Sequence, residues 1–266
     1  MHWNLNLLSK ILRFLTNNFR MSNITISDYH SKAISDYRLS AIWPEQVLIE
    51  SKVIKDKFTD DVHELEKFPF ITIDGEDAKD FDDAIYCSAT NDGFHLKVAI
   101  ADVSHYVKEG SSINKEASKR TTSVYFPQKV VPMLPENLSN ELCSLQPNKR
   151  RRALCVEIDF DKDGIINKYQ FKRGIIKSSA RLTYAQAEKF YLEKYQGLEG
   201  PYVDSLESSF HLCKKLLAQR QMRGALDFEI SEPFICLNKE KKIKSLHQRK
   251  RLFSHKLIEE LMLAAN

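Results

Sequence analysis

Two hydrophobic periods divide the chain. From Phe68 onward apolar residues recur at every second position, as in a strand with one buried face. From Thr183 onward they recur at three- and four-residue spacing, as along one face of a helix. The stretch "AIYCSATNDGFHLKVAIADVSHYV" (84–107) predicts a hairpin turning at Asn91-Asp92-Gly93, with Phe94, Leu96, Val98 and Ile100 on one face of the returning arm. A second hairpin is predicted over 151–179, where Leu154, Val156, Ile158 and Phe160 alternate into the turn "DKDG". Helices are predicted over 183–195 and 202–224, the second closing on Gly224. A short strand, "ALDFEI" (225–230), and a helix from an N-cap at Ser254 to Asn266 follow. Strands first and helices later predict an α+β fold.

The two ends of the chain read differently from its middle. In the last helix Leu257, Ile258, Leu261 and Met262 ask for a partner, and the sequence stops at Asn266. Left unpartnered, that face is an aggregation liability. Residues 24–66 read as a connector of mixed polarity, with "IWPEQVLIES" as an anchor and a charged run after it. Residues 1–23 carry no acidic group, and Trp3, Leu7, Leu8, Ile11, Leu12 and Leu15 recur at helical spacing. That stretch is too polar for a signal-peptide core and poor in serine for an organelle-targeting helix. A membrane-surface helix fits it. The plainest reading is a non-native basic extension, because Met21 offers a second start.

Composition narrows the classes without choosing a chemistry. At 266 residues, 42% hydrophobic and 29% charged, the chain is ordinary globular protein, one large domain or two small ones. A net charge of +4 sets up no global basic field. Five cysteines, odd in number and without a C-x-x-C pair, argue against a disulfide framework or a zinc site. They point to a reducing, cytoplasmic location. No apolar run approaches the ~18 residues of a membrane span, so no stable membrane association is expected.

The chemistry concentrates in "TIDGEDAKDFDDA" (72–84). Asp74, Glu76, Asp77, Asp80, Asp82 and Asp83 crowd into ten residues, answered locally by Lys79 alone, between two stretches that read as buried strand. Carboxylates held together at strand ends raise one another's pKa. Divalent cations relieve that repulsion, and an all-oxygen donor set selects magnesium or manganese. A cation pair ~4 Å apart suits in-line phosphoryl displacement. A solvated acidic turn is the plainer alternative. A second acidic stretch, 159–170, has calcium-loop spacing at Asp159, Asp161, Asp163 and Gly164. Its twelfth residue is Gln170, and its flanks alternate like strands, so it reads as a hairpin turn.

The motif "ITIDGEDAKDFDDAIYC" closely resembles the signature of the ribonuclease II/ribonuclease R superfamily and its RNB catalytic domain, in the ribonuclease R form. The resemblance continues through "LKVAIADVSHYV", "TTSVYFPQKVVPMLPENLSNELCSL", "SSARLTYAQ" and "SHKLIEELMLAAN" and covers about residues 38–266. It implies a partial RNB-type catalytic domain over 67–266 and a processive 3′→5′ exoribonuclease using magnesium, with manganese as a substitute. The implied product is nucleoside 5′-monophosphates and the implied partner single-stranded RNA, not DNA. Carried over by position, Asp74, Asp80 and Asp83 are metal ligands and Asp82 is the catalytic aspartate. Tyr125 stacks on the 3′-terminal base, its alternative being a core tyrosine between Val124 and Phe126. Phe228 is a second stacking aromatic, and Glu259 a carboxylate near the terminal ribose.

The same resemblance implies missing pieces. Cold-shock-type RNA-binding domains are expected before Ile24, and an arginine-bearing segment and an S1 domain beyond Asn266. The chain is therefore expected to be a C-terminally truncated catalytic domain with impaired hydrolysis. Two alternatives stay open beside a working exoribonuclease: a non-catalytic RNA- or metal-binding remnant, and more remotely a phosphoesterase of unrelated substrate. The basic runs 148–152 and 247–251 are either phosphate tracks or solvated charge. His105, Arg181 and Tyr184 lie inside matched motifs, with nothing physical to set them apart from packing residues.

Overall fold

The alternating segments become the centre of one large sheet. The computed structural model describes residues 25–266 except 57, 59–62, 195 and 227–231. Its strands are β1 (His63–Glu64), β2 (Ile71–Asp74), β3 (Asp83–Thr90), β4 (Gly93–Ala101), β5 (Val124–Phe126), β6 (Lys129–Val131), β7 (Arg150–Asp161), β8 (Ile166–Lys177), β9 (Ala180–Thr183), β10 (Glu232–Leu237) and β11 (Ile243–Arg249). Seven of them form a sheet ordered β1-β8-β7-β4-β3-β2-β9, while β5-β6 and β10-β11 are separate hairpins. Pairing in the large sheet is antiparallel except at its two edges, β1 with β8 and β2 with β9. The helices are α1 (Ile26–Asp36), α2 (Glu45–Val53), α3 (Val103–Tyr106), α4 (Ser112–Arg120), α5 (Tyr184–Leu192), α6 (Val203–Met222) and α7 (Phe253–Ala265), with a π-helical turn at Asn137–Leu142.

Both predicted hairpins form. Gly93 closes the first at φ 151°, where an added Cβ would stand 2.0 Å from the Phe160 carbonyl oxygen. The turn of the second is held by Asp161 Oδ1, which accepts from the amides of Asp163 (2.9 Å) and Ile165 (2.8 Å). This is strand–turn–strand geometry, as the sequence implies. Two of the predicted helices, α5 and α6, form within their expected spans. Thr183 Oγ1 accepts from Gln186 N, and Gln186 Oε1 accepts from Thr183 N, a reciprocal cap on α5. Gly224, at φ 77°, follows the end of α6.

The expectation of one buried face needs correction, because the sheet is covered on both sides. Leu96, Val98, Val156, Ile158 and Phe160 pack under α5, α6 and α7, with Leu206, Phe210, Leu257 and Leu261. On the other face Ala84, Ala99, Ala153, Cys155 and Ile176 pack with Val47, Ile113, Leu138 and Leu145. The polar positions between the apolar ones are small, or are neutralised where they are buried. Lys97 donates to Glu157 at 2.5 Å, and its ammonium lies 4.3 Å from the centre of the Phe68 ring. Ile100 and Leu154, opposite one another in the register, are 40% and 43% exposed, so the apolar face opens at that end.

The last helix is the second correction. Its apolar face is not left waiting, since Leu257, Ile258 and Leu261 are buried against α5, α6 and β4. Helical periodicity shows that a face needs a partner, but it does not say that the partner lies 50 residues upstream. The helix starts at Phe253, and Ser254 is no cap. Its hydroxyl donates to the Tyr184 carbonyl (2.8 Å) and its amide to Glu188 Oε2 (2.9 Å). Residues 24–66 include α1 and α2, with Val47 in the core and Trp43 beneath the Arg120 guanidinium. The expected extension 1–23 and Asp227–Ile230 of the expected strand 225–230 lie outside the described residues.

Leu257→Ala is expected to cost about 2–5 kcal/mol of unfolding free energy, as truncating a fully buried leucine does. Urea denaturation measures it. A loss under ~0.5 kcal/mol would mean that α7 is not docked.

Candidate active site

The acidic run is the turn between two neighbouring strands. β2 ends at Asp74, β3 begins at Asp83, and Ile71 lies opposite Ile85 across their antiparallel pair. Residues 75–82 form the connecting loop. Phe81 is buried in the core, so Asp80 and Asp82 on either side of it turn the other way. The loop is tied down at both ends. Ser144, fully buried, donates its hydroxyl to the Lys79 carbonyl (2.8 Å) and accepts from the Phe81 amide (3.1 Å). Leu145 N donates to the Phe81 carbonyl (2.9 Å). At the other end Arg181 on β9 donates through Nη2 to the carbonyls of Gly75 (2.7 Å) and Glu76 (2.6 Å).

The carboxylates act on one another. Burial pushes the Asp83 carboxyl up to about 7, helped by Asp74 and then Asp82. Asp83 Oδ2 is buried without a hydrogen-bond partner. Asp82 keeps contact with solvent, yet desolvation by the surrounding wall, with Asp80 and Asp74, raises it to about 6. Asp74 is raised too, chiefly by burial and also by Asp80. The Gly75 amide (2.6 Å from Oδ1) and the Arg181 charge pull it back. Asp80 Oδ2 accepts from the Tyr125 hydroxyl at 2.5 Å. The four aspartates therefore converge electrostatically. Among the described residues, however, no three His, Cys, Asp or Glu side chains stand as a ready-made coordination set. Mutual repulsion keeps like charges from closing to that distance, and two of them are held by hydrogen bonds instead. The donor chemistry still fits a hard divalent cation: every group offers oxygen, and one buried oxygen has nothing to bond.

The other expected site residues fall in different places. Tyr125 sits on the β5-β6 hairpin, 50% exposed as a residue, which speaks against the core alternative. Burial and the hydrogen bond to Asp80 raise its hydroxyl pKa. Phe228 lies outside the described residues. Glu259 is bound to Arg220 (3.1 Å) and to Arg251, an ion-pair cluster linking α6 and α7. The basic run 148–152 is largely bonded to protein. Arg150 pairs with Glu66 (2.9 Å), Arg151 donates to the Ser144 carbonyl (2.9 Å), and Arg152 is buried. In 247–251, His247 meets Ser245 (2.9 Å) and Arg249 covers Phe234.

Sequence reasoning gave no role to Arg181 and Tyr184 and did not single out Ser144. Ser144 and Arg181 hold the loop. Tyr184 is raised by burial and then by Asp74 and Asp83, and its ring stacks on His255 at 4.1 Å. Each lies at least 60 residues from the loop, too far for spacing to connect them.

Comparison with known proteins identifies the family. The RNB domain family matches residues 62–266. Ribonuclease R of Escherichia coli is 40% identical over 245 residues, covering 88% of this chain and 30% of its own length. Ribonuclease R of Mycoplasmopsis pulmonis is 42% identical over 256 residues, covering 95% of this chain and 34% of its own. The chain thus spans about a third of the length of these curated relatives. The structure of Mycoplasma genitalium RNase R with ribose-methylated single-stranded RNA superposes with a TM-score of 0.83 at 33% identity, over 91% of this chain and 38% of that one. The same protein with double-stranded RNA gives 0.84, over 91% of this chain and 43% of that one. With more than half of its length matched, the chain belongs to the RNB domain family.

Proposed function

We propose that this chain is the metal-binding part of a 3′→5′ exoribonuclease that hydrolyses single-stranded RNA to nucleoside 5′-monophosphates. The observation that carries the reading is the convergence of Asp74, Asp80, Asp82 and Asp83, with the buried oxygen of Asp83 unpaired. Asp74, Asp80 and Asp83 would hold magnesium or manganese, with Asp82 facing the terminal phosphodiester. When bound, such a cation supplies Lewis-acid polarisation of a phosphoryl oxygen and a nucleophilic water at neutral pH. The chain's own residues hold the substrate end. Tyr125 is half exposed and its hydroxyl is anchored on Asp80, which limits the orientations lost on stacking. Any base can stack on it, since every base has a π-face. Single- and double-stranded RNA in the Mycoplasma genitalium complexes support RNA as the ligand. Five free cysteines, four of them buried, support a reducing cytoplasmic setting, and no described helix is long and apolar enough to cross a membrane.

Release of mononucleotides from a uniformly labelled single strand, with magnesium and beside Asp82→Asn, tests the activity. Magnesium-dependent release that the variant lacks is expected. RNA binding without release in either protein would leave the chain a non-catalytic remnant.

Metal binding should depend on pH. Protons compete at Asp82 and Asp83 up to about 6 and 7, so manganese affinity should rise from pH 5 to 8 and level off above about 7. In EDTA the sign reverses for stability. Both groups titrate above the ordinary aspartate value of 3.8, so they favour the fold below that pH and lose this contribution as pH rises through about 7. Asp83→Asn should therefore raise the melting temperature in EDTA at pH 8 more than at pH 5, and abolish the stabilisation by manganese. Equal shifts at both pH values would remove Asp83 from the cluster.

Tyr125→Ala should weaken binding of a short single strand by about 1–3 kcal/mol. Because the residue is half exposed, the melting temperature should barely move. Unchanged affinity measured by fluorescence anisotropy would take Tyr125 out of the RNA path.

A further inference from the structure

Arg181 stands on the edge strand β9 beside Thr72 of β2, in a parallel register that continues to Asp74 beside Thr183. Its long side chain reaches forward past the end of β2 and bridges two consecutive loop carbonyls through one nitrogen. The guanidinium lies 5.5 Å from the centre of the Phe81 ring, the buried residue between Asp80 and Asp82. Arg181 Nε is buried without a hydrogen-bond partner, an arrangement that costs stability. A residue kept only for packing would more cheaply be apolar here. The guanidinium instead sets a positive charge near Asp74, which the Asp80 charge repels. Ser144 fixes the far end of the same loop at Lys79 and Phe81. The backbone is thus pinned on both sides of the segment that spreads the carboxylates.

We propose that Arg181 is a positioning residue for the metal-binding carboxylates: it ties Gly75 and Glu76 to β9 and holds Asp74 against its like-charged neighbours. It acts through the loop backbone and need not touch metal or RNA. The inference rests on the metal reading above. Groups that orient ligands without binding the metal characteristically change its affinity about 10- to 100-fold when removed.

Arg181→Met and Arg181→Lys separate this from a packing role. In the methionine variant manganese affinity, read by calorimetry, should fall about 10- to 100-fold. Amide hydrogen exchange in EDTA should accelerate across 75–82 while β3, β4 and β7 stay protected. Lysine keeps the charge and a donor, so it should recover most of the affinity. If the methionine variant does not fold, Arg181→Gln, which keeps a donor and loses the charge, gives the same comparison. Affinity within about twofold of wild type, with unchanged exchange over 75–82, overturns the proposal. A wild-type chain that binds no manganese overturns the metal reading instead, and the exchange data still report whether Arg181 holds the loop.

Discussion

Like charges pressed together at the ends of adjacent strands are the constraint around which this molecule is arranged. Asp74 pairs with Thr183 in the β2–β9 ladder and Asp83 with Ile100 in the β3–β4 ladder, so the backbone of each is held by the sheet. Asp80 and Asp82 are turned toward the same region because Phe81 between them is anchored in the core. Repulsion that a flexible segment would relax is retained here. Burial is the larger cause and this repulsion adds to it, pushing the Asp82 and Asp83 carboxyls up to about 6 and about 7. A cation is the direct way to relieve it, and proton binding is the other. On the metal reading proposed above, cation and proton compete for the same oxygens.

Retaining repulsion requires a stiff frame. The sheet supplies it by burying both faces, one under α5, α6 and α7 and the other under α2, α4 and the π-helical turn. Cys87 N donates to Ser205 Oγ at 2.9 Å, which ties β3 directly to α6. Helix α7 closes the same layer, and the Arg220–Glu259–Arg251 cluster joins it to α6 at the surface. Where the frame ends, the loop has its own clamps, Arg181 before the turn and Ser144 after it. Packed neighbours and a crowded acidic loop belong together, since binding geometry is only as good as what surrounds it.

Much of this was legible in the sequence. Period-two alternation located β3, β4, β7 and β8, and Gly224 marked the end of α6. Those signals are local, carried by residues within one or two turns of each other. The acidic cluster was legible for the same reason, because its charges are adjacent along the chain. Its relation to Tyr125 followed only from the family resemblance, and the contact itself, a hydrogen bond to Asp80, spans 45 residues.

The sequence by itself determined the two central hairpins, the helices α5 and α6 and where negative charge accumulates, because periodicity and local charge density are properties of neighbouring residues. Tertiary structure alone decided what those elements meet. It covered the second face of the sheet and found α7 its partner within the chain. It bound Glu259 and much of the run 148–152 to other protein groups, and brought Arg181 across to the loop it holds. Each of these contacts joins residues far apart in the chain or depends on the packing of several elements at once. No local period encodes them; they are set by which packing buries the apolar faces together while leaving each charge a partner or solvent.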